Sequence, residues 1–159
     1  MGTALAPFGL SPMDDLYRAR IEFARMMHGV SPRRILYLAL STSALSASID
    51  LASEGLSISR FVFIDASPQP VPPESGECET VGFPPSLEEL SHSIAVRLGM
   101  GGYDAVVVDS ADGLANLFGE EKAELFCEYL VLKAYVLGIR AYALSTDDGA
   151  SRLSRPKLV

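Results

Sequence analysis

Apolar residues along this chain form short continuous runs that alternate with stripes at helical spacing. The runs predict buried strands at residues 35–40, 61–64, 104–108 and 139–144. Apolar positions three or four apart predict helices at residues 13–28, 87–98 and 120–137, and a Ser- and Ala-rich helix through Leu45, Ile49 and Ala52. Strands alternating with helices predict one α/β domain over residues 1–159, a three-layer α/β/α arrangement with a mainly parallel sheet.

Two segments depart from this alternation. Residues 67–85 contain six prolines and predict a long loop, with room for a short strand at residues 79–83. Residues 149–159 carry Arg152, Arg155 and Lys157 in a polar context and predict a flexible tail.

Composition narrows the class of protein. Hydrophobic residues make up 48% of the chain and charged ones 21%, a balance typical of a compact domain. The formal net charge of −7 argues against nucleic acid as a partner, although the tail and Arg33 with Arg34 leave a DNA-binding regulator as a third alternative. No apolar run has the length of a membrane span, and no N-terminal signal is apparent, so we expect a cytoplasmic protein without membrane contact. Two cysteines without CxxC spacing and two histidines indicate neither a zinc site nor a disulfide framework.

Polar side chains follow every predicted strand. Because parallel strands share one carboxyl edge, where ligands bind in such folds, these residues are the candidate ligand-binding set: Ser41, Ser43, Asp65, Asp109, Ser110 and Ser145. Ser and Asp are also the ordinary cap and turn residues between strands and helices, so a purely structural role explains the same pattern. We predict no metal and no cofactor; Asp109 is the candidate metal ligand, and in the alternative below it could hold magnesium together with Asp65.

Several segments resemble the RecA/KaiC-type branch of the P-loop ATPases. The matching pieces, in family order over residues 33–148, are RILYLALSTS, RFVFIDASPQP, SLEELSHSIAVRLGMGGYDAVVVDSADGL, the helix at 121–137 and GIRAYALSTD. The resemblance implies a RecA-like core. It also implies that Asp109 is the aspartate of the Walker B motif, which serves magnesium in that family.

The chain differs from this family at the residues that would bind phosphate and act as the general base. Its three lysines, Lys122, Lys133 and Lys157, all lie outside any GxxxxGK[ST] pattern, so residues 1–12 are interpreted as an eroded phosphate-loop region. The family's catalytic glutamates are replaced by Ser41, Thr42 and Ser43, which removes the expected general base.

The sequence thus leaves two main hypotheses. The first is a non-catalytic pseudo-ATPase that acts through a protein partner or self-association as a homo-oligomer, with no bound nucleotide. Asp109 would then be unpaired, and would cap residues 112–117 or contact water. The alternative is a nucleotide- or small-ligand-binding protein or enzyme that uses Asp65 and Asp109 as its acidic groups, Ser110 and Ser145 as donors, and the 67–85 loop as a lid.

Overall fold

A computed structural model describes residues 12–30, 34–147 and 149–153, with side chains from Asp15 onward. Apart from Pro12, the predicted phosphate-loop remnant at residues 1–12 lies outside this part of the chain. So do Arg33 and the last six residues of the predicted tail.

Within that part the chain forms five α-helices and six strands. The helices are α1 (Pro12–Val30), α2 (Ala44–Ala52), α3 (Leu87–Gly99), α4 (Ala111–Phe118) and α5 (Glu120–Leu137). The strands are β1 (Ile35–Ala39), β2 (Phe61–Asp65), β3 (Glu77–Thr80), β4 (Ala105–Asp109), β5 (Arg140–Ser145) and β6 (Gly149–Leu153). The predicted α/β class is confirmed. None of the described helices combines the length and apolar character needed to cross a membrane.

The strands form one sheet in the order β3-β2-β1-β4-β5-β6. The first five are parallel, and β6 is antiparallel to β5. Strand order reverses between β1 and β4, which makes the gap between these two strands the topological switch point. Ala39 is in register with Asp65 on one side and with Asp109 on the other.

Each face of the sheet carries its own apolar core. On the face covered by α1 and α2, the rings of Phe23, Tyr37, Phe61 and Phe63 make edge-on, tilted and stacked contacts. The opposite face packs leucines, isoleucines and valines of β1, β2 and β4 against α3, α4 and α5. Side chains alternate between the two cores along each strand, so the central strands are continuous apolar runs.

Two segments predicted as loop and tail contain strands that differ from the sequence prediction. The short strand within the Pro-rich segment is β3 at residues 77–80, because it pairs in parallel with β2 from Val62 to Asp65. Residues 149–153, expected to begin a flexible tail, form β6 instead. Ala150 and Leu153 contact the cores on opposite faces, which gives this short segment the alternation of an edge strand.

Candidate functional site

The carboxyl edge brings most of the predicted site residues together. Asp65 and Asp109 end β2 and β4, while Ser41 and Ser43 belong to the loop after β1. Ser110 directly follows Asp109. Ser145 ends β5, one strand beyond β4, where it pairs with Gly149 of β6.

Asp109 is fully buried and bound by two groups from other elements. Its Oδ2 accepts a hydrogen bond from Arg20 Nε at 2.8 Å and another from the Tyr37 hydroxyl at 2.5 Å. Arg20 and Tyr37 are also buried, so this ion pair is shielded from water. The second oxygen, Oδ1, is buried and has no hydrogen-bond partner among the described residues.

Two further groups fix the Arg20 guanidinium. Nη1 donates to Asp50 Oδ2 at 2.9 Å, and Nη2 donates to Thr42 Oγ1 at 2.5 Å. Burial, the largest single effect, would lower the pKa of Arg20, but the charge of Asp109, the influence of Tyr37 and the hydrogen bonds to Asp109 and Asp50 together outweigh it and the pKa is raised. Burial, followed by the negative charge of Asp109, raises the pKa of Tyr37 well above its usual value. Arg20 therefore stays charged and Tyr37 stays protonated as a hydrogen-bond donor.

These contacts correct the predicted role of Asp109. The sequence suggested an unpaired carboxylate that caps residues 112–117 or contacts water. In the structure the cap of α4 is Ser110, whose Oγ accepts from Gly113 N at 3.0 Å. Oδ2 of Asp109 instead binds Arg20 and Tyr37, and Oδ1 makes no hydrogen bond among the described residues.

Sequence reasoning missed Arg20, Tyr37 and Asp50 as members of this cluster. Arg20 did carry a detectable indication, because it lies at helical spacing from Leu16, Phe23 and Ala24, all buried on the inner face of α1. A charged side chain inside an apolar helix stripe requires a buried counter-ion. Tyr17, which also lies at apolar spacing from Met13 and Ile21 in the sequence, is 48% exposed and does not belong to the buried face.

Asp65 is equally buried but is bound by neutral donors. Its Oδ1 accepts from Ser67 N at 3.0 Å and Ser67 Oγ at 2.7 Å, while Oδ2 accepts from Ala44 N at 2.8 Å. Ala44 is the first residue of α2, so Asp65 supports that helix N-terminus together with the cap Ser43. Asp65 thus closes the turn after β2 and attaches it to α2.

Among the described residues, no contact joins the carboxylates of the two aspartates, each of which binds its own set of donors. Strand β1 lies between them, and at a strand spacing of about 4.8 Å their backbones are roughly 10 Å apart. Among the described residues no group of three His, Cys, Asp or Glu side chains has a metal-binding arrangement.

Protein atoms bridge the switch point itself. Leu40 N donates to Asp109 O at 2.7 Å, and the Ser41 and Ser110 hydroxyls are 3.1 Å apart. A Cβ added to Gly113 would be 2.8 Å from Ser41 Oγ, so α4 approaches the loop after β1 closely. The loops at the ends of β1 and β4 are therefore in direct contact.

A cavity of about 470 Å³ lies beside this contact, between the loop after β1 and the start of the Pro-rich segment. Six of its eight lining residues have a hydroxyl or amide side chain, namely Ser41, Thr42, Ser43, Ser46, Ser67 and Gln69; the other two are Pro68 and Val71. Leu45 N donates to Val71 O at 2.9 Å, which holds the Pro-rich segment against α2. The predicted lid segment thus borders a neutral cavity, whose lining has no titratable side chain.

Arg34, which the sequence suggested as part of a DNA-binding surface, already binds a carboxylate. Arg34 Nη2 binds Glu77 Oε1 at 2.8 Å, and its guanidinium lies 5.0 Å from the centre of the Tyr103 ring. Another contact of the carboxyl edge was not predicted: Asp112 accepts hydrogen bonds from Thr146 N and Oγ1, which joins α4 to the turn after β5.

Comparison with protein-family models, with curated proteins and with solved structures finds no match to this chain. The resemblance to RecA/KaiC-type ATPases remains a prediction from the sequence segments alone.

Proposed function

We propose that this chain is a non-catalytic, degenerate RecA/KaiC-like domain that acts by contact with other protein chains. The observation that carries the proposal is the Arg20 guanidinium on the Asp109 carboxylate. In this proposal the Arg20 guanidinium occupies the position beside the Asp109 carboxylate that a divalent cation would need.

The electrostatics favour a permanent Arg20–Asp109 pair over an exchangeable cation. Freeing Asp109 would break a buried ion pair, a change that costs about 3–5 kcal/mol. A magnesium ion on the remaining oxygen would also lie near the guanidinium, and like charges a few ångströms apart repel strongly in a buried site. Arg20 has no simple alternative position, because Asp50 and Thr42 bind its other nitrogens.

The outer face of α5 supports a role in protein contacts. Four of its large apolar side chains are more than half exposed: Leu125, Leu132, Tyr135 and Val136. Its inner face buries Phe126 and Leu130 in the core. A helix with apolar side chains on both faces is usually covered on both faces. We therefore expect a partner protein to cover the outer face of α5.

Two measurements test this function. We expect ATP with Mg²⁺ to leave the melting temperature unchanged, since a ligand stabilises only the state that binds it; a rise of several degrees would contradict the proposal. We also expect a photo-crosslinking amino acid at position 136 to capture protein chains in cells, while the same residue at exposed position 88 of α3 does not. Equal capture at both positions would argue against a specific contact.

A second candidate function rests on the hydroxyl-lined cavity. Its neutral donors and acceptors suit an uncharged, hydroxyl-rich small molecule better than a phosphate ester, because the nearby charges of Asp65, Asp50 and Asp109 exceed that of Arg20. Saturation-transfer NMR with a panel of sugars and polyols tests this role. Ser46→Phe, which should fill the cavity, is the control that must abolish any signal.

A further inference from the structure

A groove of about 500 Å³ runs between the C-terminal half of α5 and the last two strands. It continues the exposed apolar face of α5, because Tyr135 belongs to both. Its apolar wall is formed by Val131, Ala134, Tyr135 and Ile139. Arg140 and Arg152 supply charge along the same groove.

Strand β6 borders this groove and leaves one edge of the sheet open. No strand of the described chain pairs with its outer side. Ala150 N donates to the Glu22 carboxylate of α1 and not to β5. Since backbone groups alternate in direction along a strand, Arg152 N–H and C=O also point away from β5. Glu22 already binds the Ala150 N–H, and the Arg152 groups are those with which an extended segment can pair.

The two arginines of the groove lack the counter-ions that several other described arginines have. Arg20, Arg25, Arg34 and Arg97 each bind a carboxylate. For Arg140 and Arg152 the described residues provide no such partner. Glu22 places one carboxylate at the same strand edge, so in a protein of formal charge −7 the two arginines leave a local excess of positive charge beside the apolar wall.

We propose that this groove binds an extended, acidic segment of a partner protein, which adds a strand to the outer edge of β6. The acidic side chains of the segment bind Arg140 and Arg152, and its alternate apolar side chains contact Tyr135 and Val131. This inference rests on the proposed role in protein contacts and specifies the chemistry of the partner.

Other occupants fit the groove less well. A second copy that paired β6 with β6 about a twofold axis would bring like-charged Arg152 side chains together. Nucleic acid would meet an apolar wall on a protein that is acidic overall.

The test is a selection of random decapeptides displayed on phage with the full-length protein as bait. We expect the enriched peptides to carry Asp or Glu at alternate positions. With a synthetic copy of an enriched peptide as ligand, the Arg152→Glu substitution in the protein should weaken binding by about tenfold, measured by fluorescence anisotropy. Lys122→Glu makes the same charge change at the far end of α5 and should alter binding less than about twofold.

A matched pair of peptides tests the added strand. The amides of a bound strand alternate between facing β6 and facing away from it. N-methylation of the amides that face β6 should abolish binding, and N-methylation of the others should leave binding nearly unchanged. Equal effects of the two methylation patterns would overturn strand addition. The absence of enriched acidic peptides, or equal losses for Arg152→Glu and Lys122→Glu, would overturn the assignment of the groove.

Competition and sedimentation identify the other occupants. Displacement of the peptide by SRPKLV, the sequence of residues 154–159, would assign the groove to the chain's own C-terminus, and displacement by a single-stranded oligonucleotide would assign it to nucleic acid. A dimer that Arg152→Glu dissociates would assign it to a second copy. Each outcome overturns the proposal for the partner segment but leaves the nucleotide result and the crosslinks at position 136 as separate tests of the proposed function.

Discussion

Asp65 and Asp109 occupy equivalent positions and have different surroundings. Both end a parallel strand, both are in register with Ala39, and both are fully buried. Asp65 accepts three hydrogen bonds from neutral donors, two of them from Ser67. Asp109 instead binds one charged donor and one phenol.

The difference lies in how far along the chain the partners come from. Ser67 is two residues from Asp65, so its hydrogen bonds form as soon as the turn forms. Tyr37 and Arg20 are 72 and 89 residues from Asp109, so that cluster requires α1, β1 and β4 to be assembled. The first aspartate organises a turn, and the second joins distant elements of the fold.

The largest expected effect is at Arg20. Arg20→Met leaves Asp109 buried without its counter-ion and should lower the free energy of unfolding by about 3–5 kcal/mol in urea denaturation. Arg25→Met is the control on the same helix, since the Arg25 side chain is 70% exposed and its ion pair should contribute less than about 1 kcal/mol.

A second variant keeps this prediction testable if Arg20→Met does not fold. Arg20→Met combined with Asp109→Leu removes both charges and should recover much of the lost stability. Equal losses for Arg20→Met and Arg25→Met would mean that the buried pair has no special importance.

The same substitution at both aspartates compares the two sites directly. Asp65→Asn retains one acceptor oxygen among neutral donors and should cost about 1–3 kcal/mol in urea denaturation. Asp109→Asn removes the charge that neutralises Arg20 and should cost more, about 3–5 kcal/mol. A larger loss at Asp65 would reverse the comparison.

The smallest expected effect is at Tyr37. Tyr37→Phe removes the hydroxyl that donates to Asp109 and should cost about 1.5 kcal/mol near neutral pH, measured by urea denaturation. Tyr142→Phe, on the same face of the sheet, is the control. No hydrogen bond of the Tyr142 hydroxyl occurs within the described part of the chain, so its loss should have a smaller effect.

The effect of Tyr37→Phe should depend on pH. The pKa of Tyr37 is raised by burial and by Asp109, so the folded protein keeps a proton that the unfolded chain loses above about pH 10. The stability gained from this group is complete below that pH. It falls by up to about 1.4 kcal/mol per pH unit above it, so the wild type should lose its advantage over Tyr37→Phe there. A constant difference up to pH 11 would contradict a raised pKa.

Local sequence patterns predicted most of the helices and strands, because the interactions that start and end these elements lie within a few residues of one another. Ser86 and Glu89, three residues apart, form a capping box at the start of α3, and Gly138 ends α5 in a left-handed conformation. The carboxyl-edge position of Asp65 and Asp109 also followed from the order of strands and helices.

The partners of Asp109 could not be obtained in this way. Periodicity indicates which face of α1 is buried, but not that its arginine contacts the end of β4 next to a tyrosine from β1. That contact depends on the packing of three elements. β6 was missed for a similar reason, since a five-residue segment with two polar residues is identified as a strand only by its pairing with β5.

Because β6 runs antiparallel to β5, its first residue lies at the carboxyl edge of the sheet and its last residue lies near the opposite edge. Gly149 pairs with Ser145 at the carboxyl edge, whereas Leu153 pairs with Ala141 near the start of β5. A fluorophore or surface anchor attached at position 153 would therefore be held about 13 Å from the Gly149 end of the strand. It would report on the α5–β6 groove while leaving the Arg20–Asp109 pair undisturbed.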